Sequence, residues 1–208
     1  MRAWVALAAL VGMLPAVVRS QELQTGREAI WEVSAMLYAY TLADAGGYLQ
    51  PTLAADRGWL HLELRYNYEF IDAGSVWLGS NLGWGDSLHV EFTPMVGVVV
   101  GSADGVALGY HFDVDWRRLV FYIEAEYVFD TGVREESFLY SWSELTLEPL
   151  DGLRAGLVAQ RTRAWESSLD IQRGVLLGYE GRHAGLVGYF FNPDKDDTAW
   201  VLALQVGF

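Results

Sequence analysis

The chain has no cysteine among its 208 residues, which excludes disulfides and a lipoprotein anchor. Basic residues are scarce: 14 Lys and Arg stand against 27 Asp and Glu, for a formal charge of −13. So acidic a chain repels phosphate backbones, and nucleic acid is not expected as a partner. Past residue 20 there is no continuous apolar run approaching the roughly 20 residues that a transmembrane helix needs. Any membrane-spanning structure must therefore be built from strands. Linkers, low-complexity tracts and phosphate-cradling glycine motifs are also missing, and the expected organisation is a single domain.

What the chain has is apolar content without apolar blocks. Hydrophobic residues make up 52% of it, including nine Trp, eleven Tyr and nine Phe. They are interleaved with polar residues, as strands with two differently solvated faces require. The one exception is the start, MRAWVALAALVGMLPAVVRS, where Arg2 precedes an apolar stretch from Ala3 to Leu14 and small residues follow Pro15. This reads as a secretory signal peptide over residues 1–20. Removing it, with Arg2 and Arg19 and no acid, leaves a mature chain of charge −15 starting near Gln21, with a short lead over 21–29.

Alternation is clearest from Trp59 to Phe70. Leu60, Leu62, Leu64, Tyr66, Tyr68 and Phe70 share one face, and His61, Glu63, Arg65, Asn67 and Glu69 the other. Leu119 to Phe129 and Val106 to Trp116 repeat the pattern. Turn-forming clusters such as Asp44-Ala-Gly-Gly47, Asp72-Ala-Gly74, Asp130-Thr-Gly132 and Asn192 to Asp197 separate these segments. Eleven such connections imply twelve antiparallel strands; weak alternation over Trp31–Asp56 and Val76–Trp84 keeps ten as the alternative. The fold class expected is all-β, a single up-and-down transmembrane barrel with both termini on the periplasmic side. A misfit at Phe138 to Glu148, where aromatics share parity with acids, calls for a bulge near Ser143.

The last segment, Trp200 to Phe208, places Trp200, Leu202, Leu204, Val206 and Phe208 on one face. It resembles the closing strand of Gram-negative outer-membrane β-barrels, whose terminal phenylalanine is part of the signal read by the barrel-assembly machinery. The resemblance implies an outer-membrane location, with outer-membrane lipid, lipopolysaccharide and the assembly machinery as partners. Aromatics near strand ends fit interfacial girdles: Trp59, Trp84, Trp116, Tyr179 and Phe208 on the periplasmic side, and Phe70, Phe129, Trp165 and Trp200 on the outer side.

The polar face carries the candidate functional residues. His61 with Glu63, His89 with Glu91, and His111 with Asp113 are spaced by two, which puts each pair on one strand face. Near the periplasmic ends of their strands they would form a layer in the lumen, with His61, His89 and His111 as candidate metal ligands. The plainer reading is that any acidic lumen contains such pairs. Glu124 and Glu126 extend the acidic surface, and Arg65 and Arg154 oppose it. No cofactor is expected. Ser137, Ser141 and Ser143 have no nearby histidine and His183 sits in a turn, so no hydrolytic nucleophile is identified. The function expected is a narrow passive pore for small or cationic solutes. A non-conducting ligand-binding or structural barrel is the rival, and a lipid-modifying enzyme a third reading.

Overall fold

The computed structural model describes residues 30–42, 46–132, 137–164, 170–195 and 197–208. The expected signal peptide, the lead and Trp165 lie outside them. The described chain is all β: β1 Glu32–Leu42, β2 Gly46–Arg57, β3 Leu60–Tyr66, β4 Ala73–Ser80, β5 Leu82–Trp84, β6 Leu88–Gly101 and β7 Gly105–Trp116, then β8 Leu119–Asp130, β9 Phe138–Leu150, β10 Leu153–Ala164, β11 Asp170–Glu180, β12 Ala184–Phe191 and β13 Ala199–Gly207. Each pairs antiparallel with its neighbours, and β1 pairs with β13 from Ser34↔Gly207 to Leu42↔Ala199, closing a ring. Closure leaves no backbone edge, which is what a sheet in hydrocarbon requires.

The ring has twelve staves, because β4 and β5 are two parts of one. Both pair with β6, and the register runs unchanged from Gly79↔Met95 to Leu82↔Phe92. The gap lies opposite Pro94, which remains paired with Tyr110 of β7. Its missing N–H thus falls on the β4/β5 side and interrupts that ladder alone.

The period of two sorts the side chains. Leu64, Val76, Val98, Leu108, Leu147, Leu157, Leu177 and Leu202 are exposed around the outside, an apolar surface too continuous for a water-facing wall. Trp31, Trp59, Trp84, Trp116 and Tyr179 rim the end that carries both termini, and Tyr66, Phe129 and Trp200 rim the other. Turns at the terminal end are short, as between β7 and β8, and most of the far loops are longer. This is the periplasmic and extracellular asymmetry of bacterial barrels.

Two sequence expectations are corrected. β3 ends at Tyr66 rather than Phe70, since Asn67 takes φ 56° and the chain leaves the strand there. Asparagine tolerates this left-handed conformation better than most residues. The reversal turns Tyr68 and Phe70 into the barrel, so Phe70 belongs to no outer girdle; it packs edge-on against Phe138. The second concerns Ser143. β9 is regular through it, and Phe138, Tyr140, Trp142, Glu144 and Thr146 all face the lumen. The aromatics share parity with acids because they line the lumen too. The register shift lies lower, between Leu153 and Ala155 against the Pro149 end of β9.

Candidate functional site

The lumen is filled at mid-height. Tyr38, Trp77, Trp142 and Tyr189 are each 0% exposed, and Phe191, Gln50 and Gln160 pack with them at the same order of burial. Gly97 illustrates the fit: a Cβ there would stand 2.5 Å from Cδ2 of Trp77. Charged groups sit within this packing, and buried charge is tolerated only when paired and hydrogen-bonded.

Arg65 on β3 anchors the first cluster. Its Nε and Nη2 donate to Glu63 Oε2 at 2.8 and 2.5 Å, and its Nη1 donates to Glu126 Oε2 at 2.9 Å across the lumen. Glu69 Oε1 stands 4.0 Å away. The guanidinium also lies over the rings of Tyr68, at 4.0 Å, and Trp77, at 4.6 Å, a favourable placement for a cation on a π face. Glu69 accepts from Ser75 Oγ at 2.6 Å and Trp77 Nε1 at 3.1 Å. Glu124 accepts from the Tyr68 hydroxyl and, at 2.8 Å, from that of Tyr122. Carboxylates outnumber the guanidinium here, and Glu63 Oε1, Glu69 Oε2 and Glu126 Oε1 find no hydrogen-bond partner among the described residues.

Arg154 on β10 anchors the second cluster, with Nη2 donating to Glu144 Oε2 at 3.2 Å and Nη1 to Glu180. Glu144 Oε1 also accepts from Trp142 Nε1 and the Tyr189 hydroxyl, each at 2.9 Å.

The histidines divide. His61 donates Nδ1–H to Asp56 Oδ1 at 2.8 Å and meets His111 edge to face, with ring centroids 5.8 Å apart. His111 Nε2 is 3.5 Å from Glu124. His89 stands apart at the periplasmic mouth, 3.8 Å from Glu91. Among the described residues no three His, Asp or Glu side chains converge where they could hold a metal ion. Spacing by two does put each pair on one face, but the ring of strands does not bring the three imidazoles to one point.

Toward the periplasm the packing loosens. His89, Glu91, Asp113, Glu148 and Glu180 are half-buried and Asp115 is exposed, giving an acid-lined mouth. Glu91 and Asp113 are direct cross-strand partners. Toward the outside the lumen is tightly covered, with Tyr40, Val99, Ala103, Val128 and Phe138 buried beside the polar Ser137, Thr162 and Asn192.

All ten candidate residues named from sequence, His61, Glu63, Arg65, His89, Glu91, His111, Asp113, Glu124, Glu126 and Arg154, lie on the lumen wall. What sequence reasoning missed is the inward loop, with Tyr68 and Glu69, and the roles of Trp77, Trp142 and Tyr189 as partners to carboxylates. Asn67 followed by Asp72-Ala-Gly74 was the available signal: two residue types that favour left-handed conformations bracket the loop. Outside the lumen, Arg173 is exposed and donates to Asp194 at 2.6 Å. That guanidinium holds the Asp194 carboxyl below its ordinary range.

No family model matches the chain, and no curated protein does. Solved structures that share its fold include two porin structures. The KdgM porin superposes with a TM-score of 0.59 at 12% identity, over 84% of this chain and 99% of that one. The KdgM porin in complex with disordered oligogalacturonate gives 0.58 at 11% identity, over 85% and 99%. Closed ring, apolar exterior and shared architecture together make the chain an outer-membrane β-barrel of twelve strands.

Proposed function

We propose that the barrel is a narrow passive pore for small or cationic solutes, without a cofactor or a catalytic role. The excess of lumen carboxylates over lumen arginines supports this reading. From the mouth residues Glu91, Asp113 and Asp115 to Glu63, Glu69, Glu124 and Glu126 around Arg65, a solute meets mainly negative charge. Such a wall favours cations. The KdgM porin has been solved in complex with disordered oligogalacturonate; a carboxylate-rich lumen such as this one would disfavour an anionic solute. On the outer surface Arg173 faces the outer-leaflet level, where lipopolysaccharide phosphates would suit it.

The test is reversal potential across planar bilayers under a salt gradient. Refolded barrel is expected to be cation-selective, and Glu91→Gln with Asp113→Asn to reduce that selectivity. Unchanged selectivity in this variant would remove the mechanism. A second reading, a non-conducting ligand-binding or structural barrel, draws on the filled mid-lumen of Tyr38, Trp77, Trp142 and Tyr189. An intact barrel that stays silent in the bilayer would favour it.

A further inference from the structure

Between β3 and β4 the chain does not arch outward. Asn67 and Asp72, at φ 56° and 62°, turn it in and out of the barrel. Tyr68 and Glu69 between them are 2% exposed, although they belong to a loop at the extracellular end.

The two ends of this segment and its middle are held differently. Its ends are tied to the rim: Asn67 N–H donates to Ala73 O at 2.9 Å, Asn67 Nδ2 to Leu49 O at 2.9 Å, and Asp72 N–H to Asn67 Oδ1 at 2.8 Å. Its middle is held by lumen side chains. The Tyr68 hydroxyl donates to Glu124 on the opposite wall, and the Tyr68 ring meets Tyr140 edge-on with centroids 6.1 Å apart. Phe70 meets Phe138 likewise at 5.2 Å, and Glu69 takes Ser75 and Trp77. The β3–β4 ladder ends at Tyr66↔Gly74, below the segment. Withdrawing Tyr68, Glu69 and Phe70 would therefore break side-chain contacts and one turn hydrogen bond, Ala73 N–H to Phe70 O at 3.2 Å, but no rung of the barrel wall.

We infer that residues 67–72 are a strap that shuts the lumen against the outside, with the Tyr68–Glu124 hydrogen bond as its latch. The inference rests on the pore reading for its consequence, because a strap matters to transport only if solutes pass. It accounts for the asymmetry of the lumen: acid-lined and accessible at the periplasmic mouth, covered at the other end. It also selects the residues that limit passage. With the strap in place, a cation entering from the periplasm stops below Tyr68. With the strap withdrawn, Glu69 leaves with it and Glu124 loses its tyrosine partner, so the path past Arg65 is both wider and still acidic. Glu124, on the wall rather than on the strap, holds the latch and faces the path at once.

The experiment compares wild type, Tyr68→Phe, and Tyr68→Gly with Phe70→Gly, each refolded and checked for retention of the heat-modifiable barrel. Bilayer conductance is one readout. The other is labelling of a single cysteine at Ala107, a buried lumen position in the extracellular half of β7, by a membrane-impermeant thiol reagent added from the loop side. The native chain has no cysteine to confuse the signal. Slow labelling in wild type and fast labelling in the double glycine variant are expected. Tyr68→Phe should raise the open fraction about tenfold to a hundredfold, the shift that loss of one hydrogen bond to a charged group makes in an equilibrium. Equal labelling in all three barrels overturns the strap, whether or not they conduct. Faster labelling in a variant that remains electrically silent keeps the strap and removes the pore. Tyr68→Phe guards the test if the double variant fails to fold, since it deletes one oxygen and keeps the ring against Tyr140.

Discussion

Replacing Arg65 by methionine removes the guanidinium that faces Glu63, Glu69 and Glu126, while keeping an unbranched stem. In wild type two carboxylates accept from Arg65 at 2.5–2.9 Å, and the third lies at 4.0 Å. Breaking one buried pair by removing a partner costs about 3–5 kcal/mol, because the remaining charge has no counter-ion and no water. Loss of the contact with the Tyr68 and Trp77 faces adds about 1–2 kcal/mol. The barrel as a whole should therefore lose about 4–7 kcal/mol. Arg65→Lys keeps the charge but not the fork that reaches Glu63 and Glu126 together, and should fall between the two. The assay is denaturant unfolding of barrel folded into lipid vesicles, followed by tryptophan fluorescence, to which Trp77 should contribute strongly. Adding Glu126→Gln to Arg65→Met should recover part of the loss, since it deletes one of the stranded charges. If Arg65→Met changes stability by less than about 0.5 kcal/mol, the range of an ordinary surface substitution, the cluster is not the ionic anchor described.

Three other outcomes follow from the geometry. Gly97→Ala places a methyl group against the buried Trp77 ring and should destabilise by about 1–3 kcal/mol in the same unfolding assay. Neutralising the cross-strand pair with Glu91→Gln and Asp113→Asn should stabilise the barrel by roughly 0.2–1 kcal/mol, the amount that like charges directly opposite each other cost; a loss of stability would mean the two carboxylates share a bound cation. At the surface, Arg173→Ala should return the Asp194 carboxyl upward to its ordinary range, measurable by pH titration with carboxyl-sensitive NMR. The sign is fixed: a lowered carboxyl pKa contributes stability above the ordinary carboxylate range, and that contribution fades as pH falls through Asp194. The pair is exposed and screened by solvent, so this contribution is small and the unfolding midpoint at neutral pH should fall only slightly.

Much of the architecture was legible in the sequence because barrel strands carry their own record. Leu119 to Phe129 and Val106 to Trp116 alternate without interruption, and each forms a strand of that parity. The twelve staves follow from turn signals whose chemistry is local. Where the reading failed, the deciding event was a single backbone reversal. Residues 67–70 continue the alternation of β3 perfectly, so periodicity sees no boundary, and only the left-handed turn at Asn67 sends Tyr68 inward. The aromatics of β9 failed for a related reason: alternation reports two faces without saying which one is wet, and this lumen is itself rich in rings. The partners of each charge were beyond reach, because Arg65 and Glu126 are 61 positions apart and meet only across the closed ring.

The pairing of β1 with β13 also has a meaning for assembly. These strands lie far apart in the sequence, and their nine paired positions, Ser34↔Gly207 to Leu42↔Ala199, close the ring. Joining such distant segments is the slow kind of contact. Until it forms, the growing sheet presents two unpaired edges of eager backbone donors and acceptors to the hydrocarbon or to other chains. This seam is therefore the natural point of commitment: before it the polypeptide is an adhesive sheet, and after it a sealed vessel.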